Sequence, residues 1–444
     1  MTVAKKIKFY SLFLTAVVKK QFKIVLGGLL LGILAFWSLP KIYPFIPKPQ
    51  KILKIGIVGQ FSLNSLPSEI FQEISLGLTL VSEKGEPLPG LAESWSVLDE
   101  GKTYVFKIKT NGLHWHDGKK FSPEDISYNF KDIEFSTKDN LLTFKLSEPF
   151  SAFPTVLAKP IFRKGLIGLG RYKVKKIESS GKYVSSIFLT AFQQNSLPDE
   201  LYRFYNTEAD LKLAFNLGEI NEISGVFNLD NLYLSPKVKV DQQVMENAYV
   251  GVFFNTSAPP FSSKTFRQAL AYSLPKETDE KRALGPIDPR SWAYNPDVKP
   301  YNEDLAHAQT LLEGEKLDLG SLKIIIAVFP QFEQTANMLS DSWQKIGINS
   351  EVKIISAIPE TFDVLIIGRE IPKDPDQYYF WHSTQAGNIS GFKNPRIDKL
   401  LEDGRKTIDK EERKSIYFDF QRYLVEESPV IFLEHPRVYH LSRQ

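Results

Sequence analysis

From Val250 onward, short uninterrupted apolar runs alternate with longer segments of helical period, and this alternation restricts the architectures open to the chain. Val250 to Phe254, Leu322 to Val328, Val352 to Ile355 and Phe362 to Ile367 are too short for helices buried on all sides. They read as strands covered on both faces. Between them lie helical segments with identifiable stops. Lys264 to Leu274 ends at Pro275, Asp304 to Glu313 at Gly314, and Gln331 to Ile346 at Gly347. A glycine in the last position suits the left-handed residue that closes a helix. Asp409 followed by Glu412 caps a helix that runs to Glu427 and stops at Pro429. Strands alternating with helices predict an α/β lobe. The first half carries alternating, half-buried strand patterns at Tyr104 to Lys109, Leu141 to Leu146 and Val184 to Phe192.

A chain of 444 residues outgrows a single core, so more than one lobe is expected. The 55 basic and 52 acidic side chains nearly cancel, leaving a formal net charge of +3. That balance argues against a nucleic-acid binder, which needs a concentrated basic face. An aromatic content of 13% supplies both core and the walls of an apolar cleft. The absence of cysteine excludes disulfides, thiolate metal sites, a cysteine nucleophile and lipid attachment through an N-terminal cysteine.

Ile24 to Trp37 is uncharged and apolar, and its extension over 22–39 approaches the length of a membrane-spanning helix. Six lysines, Lys5, Lys6, Lys8, Lys19, Lys20 and Lys23, precede or open it, and no acidic residue occurs before Glu69. The positive-inside rule then places the N-terminus in the cytoplasm and the body outside. The competing assignment is a cleaved signal peptide, against which stand the long preceding tail and the lack of a small-residue cleavage site. Residues 1–21 read as a basic tail with an interfacial helix from Ile7 to Val18, and the four prolines of residues 40–50 as a stiff spacer.

Leu91 to Phe130 contains, in order, the end of a Pro-Gly-Leu-Ala-Glu-Ser-Trp word that starts at Pro89, then Glu100 to Tyr104, Trp115-His116-Asp117-Gly118, and Phe121 to Asp125. These words and their spacing resemble the signature region of extracellular solute-binding proteins of family 5, the peptide- and nickel-binding type. Ile167 to Lys175, Leu217 to Asn221, Val252 to Leu270, Tyr294 to Leu312, Asp341 to Ile348 and Asn394 to Leu433 are similar to later segments of the family. The resemblance implies a two-lobed α/β fold of the periplasmic-binding-protein class II type, with mixed sheets, in addition to the N-terminal transmembrane helix. Lobe I is expected over 51–245 with a reduced extra subdomain, lobe II over 246–427, and a return to lobe I over 428–444. It also implies capture of an oligopeptide between the lobes and delivery to the permease of an ABC importer, by a monomer with no cofactor. Alternatives are a tethered peptide receptor without a transport partner, or the transport role with a nickel chelate, haem or glycan.

Peptide-binding members of the family carry an acid, shortly before Asp-Pro-Asp, that pairs with the ligand's α-amino group. Here Asp374-Pro375-Asp376 is kept, and both acids are candidate ligand contacts, but Arg369, Glu370 and Ile371 precede it. Glu370 is the candidate partner for a buried amine, which needs a carboxylate in contact; its alternative is a solvated position beside Arg369. Arg369 could clasp a ligand carboxylate through its planar fork. Asn255 could hold ligand backbone or cap the turn at Pro259. Trp381 and His382, close to Asp374 and Asp376, are candidate cleft residues, with a helix-surface position as the alternative for His382. His114 and His116 share a strand face, but no third histidine lies nearby. Trp115 is expected to pack and Asp117-Gly118 to turn. No nucleophile elbow, phosphate loop or zinc-protease helix is present, so neither catalysis nor a resident metal is expected.

Overall fold

A computed structural model describes residues 15, 19–42, 51–110, 112–128, 130–193, 196–276 and 281–443. The chain divides into two compact units, Met1–Lys51 and Ile52–Gln444. Most of the expected basic tail and interfacial helix, and the spacer beyond Ile42, lie outside the described residues. The first unit contains the helix Phe22–Ile42. Among the described residues no helix is long and apolar enough to cross a membrane. The transmembrane helix expected over 22–39 is therefore not supported. The uncharged run Ile24 to Trp37 inside it measures about 21 Å at helical rise, short of a hydrocarbon core of ~30 Å.

The second unit is built on two mixed sheets. The first has seven strands in the order Val238–Val244, Arg437–Arg443, Glu222–Val226, Ile52–Val58, Asp199–Tyr205, Tyr183–Ala191, Tyr172–Ser180. Ile52–Val58 is parallel to both its neighbours, and the other pairs are antiparallel. The second has five, in the order Asn349–Ile354, Lys323–Val328, Val364–Glu370, Ala248–Phe254, Val430–Glu434. Ala248–Phe254 is buried at every position, between two strands and beneath helices. This is why its sequence shows an apolar run instead of alternation. The helix Lys264–Tyr272 is capped by Ser263 and Lys410–Glu427 by Asp409, which accepts from the Glu412 amide at 2.9 Å. Gly347 takes the left-handed turn expected of it, with φ +84. Gly314 does not. Its helix continues to Glu315, and Lys316 adopts the left-handed cap.

The chain passes between the sheets twice, from Val244 to Ala248 and from Glu434 to Arg437. The strands before and after each crossing are paired with each other, so a two-stranded antiparallel ribbon runs through both lobes. At the crossing the Met245 amide donates to the Pro436 carbonyl at 2.9 Å, and His435 Nδ1 donates to the Ala248 carbonyl at 2.7 Å. Val430–Glu434 thus pairs within the second sheet, and the return to the first starts at Arg437 instead of residue 428.

The signature segment supplies two strands of a separate four-stranded antiparallel sheet, ordered Ala92–Leu98, Thr103–Ile108, Leu141–Leu146, Ile133–Lys138, and the chain that follows it supplies the other two. Trp115 is buried and donates through Nε1 to Asp125 at 2.9 Å, while Asp125 also accepts the Ser122 amide at 3.0 Å. Asp117 accepts the Lys119 amide, and Gly118 has φ +84. The Trp-His-Asp-Gly word is therefore a packed turn. His116 Nε2 donates to the Gly170 carbonyl at 3.0 Å and burial lowers the pKa of the ring.

This subdomain also fastens onto the second lobe. Asp374 receives two hydrogen bonds from Arg413, at 2.6 and 3.2 Å, and one from Thr155 at 3.4 Å. Ser151 donates to the Gly404 carbonyl. Trp292 donates its amide to the Lys84 carbonyl, and Lys410 pairs with Glu86. Gly85, at φ +80, lies against the Lys373 carbonyl, where a Cβ would collide.

Asp374→Asn should destabilise the body by about 3–5 kcal/mol, because it leaves the Arg413 guanidinium buried without a counter-charge. Adding Arg413→Met should recover most of that loss in urea midpoints; if the double variant is no better than the single, the pair is not coupled. His435 supplies a pH test. Burial is the main cause holding its ring pKa below the ordinary value near 6.5. A depressed folded pKa contributes stability that is present above the unfolded pKa and is lost as pH falls through the folded one. The urea midpoint of the wild type should therefore fall toward that of His435→Asn, which keeps a donor near Nδ1, between pH 7 and 5. Parallel curves would remove His435 as the source.

Candidate functional site

Between the two sheets lies a cleft of about 850 Å³. The first sheet forms its floor. In Val238–Val244 the side chains of Lys239, Asp241 and Gln243 occur at alternate positions and all line it. They share one face of the sheet with His440, which is paired directly with Asp241. Glu222 rises from Glu222–Val226 next to them, Tyr202 from Asp199–Tyr205 two strands further across the sheet, and Glu69 from the start of the helix Ser68–Ile74. The crossing contributes Met245, Glu246 and Asn247, and the second lobe Arg290 and Glu370.

The charge of this surface is mostly negative. Glu69, Glu222, Asp241, Glu246 and Glu370 face it, against Lys239 and Arg290. Arg290 is already engaged. It pairs with Glu246 at 3.1 Å and with Asp288 at 2.7 Å, and the Asp288 hydrogen bond raises its own pKa. Two carboxylates are thereby compensated by one guanidinium that spans the crossing. The remaining surface attracts a cation. Burial pushes the Tyr202 phenol far above its usual range, assisted by the charge and hydrogen bond of Glu200 at 2.8 Å, so this hydroxyl is neutral in the cleft.

A second cavity of about 330 Å³ opens beside the first. Phe227, Met245 and Glu370 border both. Its other walls are chiefly apolar, with Phe329, Phe332, Ile358 and Ile367. Phe227 of the first lobe meets Phe332 of the second edge to face, with ring centroids 6.1 Å apart.

Of the six residues selected from the sequence, Glu370 lines the cleft. It is exposed at the end of Val364–Glu370, opposite Ala248. Arg369 borders only the smaller cavity. Its guanidinium stacks on Phe380 and Phe253, at 4.4 and 5.2 Å, and donates to the Gly387 carbonyl at 2.7 Å. The planar fork expected to clasp a ligand is thus used within the lobe. Tyr249 lies beside it. Burial pushes that phenol up to about 12, and the Arg369 charge opposes the rise. Asp374 is held by Arg413, and Asp376 by Arg405 at 2.9 Å and by the Tyr378 amide. Trp381 is buried and stacked on Phe253 at 6.2 Å. Asn255 accepts the Ser257 amide in a turn at the far end of the strand from the crossing. None of Asp374, Asp376, Trp381 and Asn255 lines the cleft: Asp374 joins Arg413 and Thr155 at the junction with the signature subdomain, and the other three are engaged within the second lobe. His382 is buried, with Nδ1 bonded to Thr384.

The cleft residues missed from the sequence are Glu69, Tyr202, Glu222, Lys239, Asp241, Gln243, Glu246, Arg290 and His440. A signal existed for three of them. Val238, Val240 and Val244 alternate with Lys239, Asp241 and Gln243, apart from the doubled Gln242, so one face of that strand is polar. Tertiary approach alone brings the others together. Among the described residues no group of three or more histidine or acidic side chains is arranged to hold a metal ion.

Comparison with known proteins agrees with this fold. Residues 86–391 match the model of bacterial extracellular solute-binding proteins, family 5 middle. Di/tripeptide-binding protein 1 of Pseudomonas aeruginosa is 26% identical over 80% of this chain and 82% of its own, and the oligopeptide-binding protein AppA of Bacillus subtilis is 25% identical over 88% and 87%. The structure of NikZ from Campylobacter jejuni, in complex with Ni(L-His), superposes with a TM-score of 0.76 at 23% identity, over 89% of this chain and 95% of NikZ. That of Bacillus subtilis AppA, in complex with a nonapeptide, gives 0.70 at 22% identity, over 89% and 95%. These two structures establish the shared two-lobed fold. Proteins of this kind bind a solute and catalyse no reaction, and this chain belongs to the bacterial extracellular solute-binding proteins, family 5.

Proposed function

We propose that the protein captures oligopeptides in the cleft between its lobes and delivers them to the permease of an ABC importer. The observation that carries the reading is the position of Glu370. This carboxylate from the second lobe faces a cleft whose floor belongs to the first, so a ligand amine on Glu370 touches both lobes. Contact with both lobes is what favours the closed form over the open one. A carboxylate in direct contact also offsets the desolvation of the amine. The peptide-binding relatives support the ligand class, and the volume of the cleft falls in the range of about 300–1,000 Å³ usual for small ligands.

In this reading the body is extracytoplasmic, in keeping with the extracellular members of the family. A second ligand class, a nickel chelate, is favoured by one feature, the pairing of His440 with Asp241 on the cleft floor.

Mass spectrometry of small molecules released from the purified body, residues 52–444, should recover peptides. Recovery of nickel and histidine alone would instead support the chelate. Glu370→Gln should weaken binding of free-amine peptides about tenfold or more while leaving their N-acetylated forms nearly unchanged, as read by isothermal titration. An equal effect on both forms would remove Glu370 from the amine site.

A further inference from the structure

The smaller cavity has a use that follows from its shared wall. Glu370 rims both the cleft and the cavity, whose other walls are mostly aromatic and aliphatic. In a peptide the α-amino group and the first side chain are attached to the same carbon. An amine seated on Glu370 therefore leaves the first side chain at the mouth of the cavity. We propose that the cavity is the subsite for the first residue of the ligand and that it selects a large apolar side chain, such as phenylalanine, leucine or methionine. This inference rests on the peptide reading above.

The chemistry of the walls supports the choice. Phe227, Met245, Phe329, Phe332, Ile358 and Ile367 offer no partner to a polar group, and a buried unpaired polar group is costly. Gln331 and Arg369 are the polar exceptions beside Glu370, and the Arg369 guanidinium stacks on Phe380 and Phe253 and donates through Nη2 to the Gly387 carbonyl. Gly368 has no side chain, and the edge of the Phe332 ring takes the space beside it, 3.3 Å from where a Cβ would stand. Phe227 and Phe332 come from different lobes and meet edge to face with centroids 6.1 Å apart, so a side chain packed against the pair contacts both lobes. The subsite thus couples apolar recognition to closure, as Glu370 couples recognition of the amine.

The test is a set of tripeptides titrated into the body, residues 52–444, and into its Ile358→Glu variant. Ile358 is more than half exposed in a loop, so the substitution should leave the fold intact. Phe-Ala-Ala should bind the wild type roughly 10–100-fold more tightly than Gly-Ala-Ala, the range expected for burial of one large apolar side chain. Ala-Ala-Phe, with the same composition, should show no such gain. In Ile358→Glu the preference for Phe-Ala-Ala over Gly-Ala-Ala should vanish, and Arg-Ala-Ala should gain relative to both. Equal binding of all these peptides to the wild type overturns the subsite and leaves peptide capture standing. An unchanged preference in Ile358→Glu also overturns it. If no peptide binds either protein, the peptide reading fails and the subsite fails with it.

Discussion

The body depends on a two-stranded antiparallel ribbon that runs through both lobes. Val238–Val244 and Arg437–Arg443 lie together in the first sheet, and Ala248–Phe254 and Val430–Glu434 in the second. A single crossing would allow the lobes to twist freely about a bond. Two crossings tied by the hydrogen bonds of Met245 and His435 permit bending while opposing rotation about the ribbon's long axis. The cleft therefore has a defined direction of closure. The ribbon also sets the chemistry of the cleft, since Glu246 of the crossing and Arg290 of the second lobe are paired, and the polar face of Val238–Val244 forms part of the floor.

Much of this fold was legible because burial leaves a local trace. The apolar runs located four second-lobe strands within a few residues; Ala248–Phe254 is covered on both faces and has no polar side to alternate with, whereas Asn349–Ile354 is an exposed edge strand and not the buried one expected. Caps at Asp409 and Gly347 were legible for the same local reason. Gly314 misled because glycine is compatible with a helix end without compelling one, and Lys316 accepts the left-handed turn instead. The final return was placed too early. Val430–Glu434 looks like any buried strand, and only pairing shows which sheet holds it.

The site was less legible than the scaffold. Glu370 was selected through the resemblance and does reach the cleft, but its neighbours Asp374 and Asp376 serve a junction. Sequence proximity to a ligand-binding position says little when a strand ends there, because the chain turns back into its own lobe within two or three residues. The cleft is assembled instead from positions as distant as Glu69, Arg290 and His440. Lys239, Asp241 and Gln243 were visible as a polar face of a strand, although that pattern also describes any strand facing solvent.

The junction of Asp374, Arg413 and Thr155 has a mechanical meaning. The chain from 79 to 160 belongs by order to the first lobe, yet Thr155, Ser151, Lys84 and Glu86 hold elements of the second. His116, through Gly168 and Gly170, keeps the same subdomain attached to the first lobe. The lobes are thus bridged at three places, the third remote in sequence from the other two and held by contacts of unequal strength. Thr155 reaches Asp374, which is buried, whereas Lys410 and Glu86 meet near solvent. Water competes for the exposed contacts first, so the subdomain resembles a strap with a weak and a strong end. How far the cleft opens is set by where that strap lets go as well as by the bending of the ribbon.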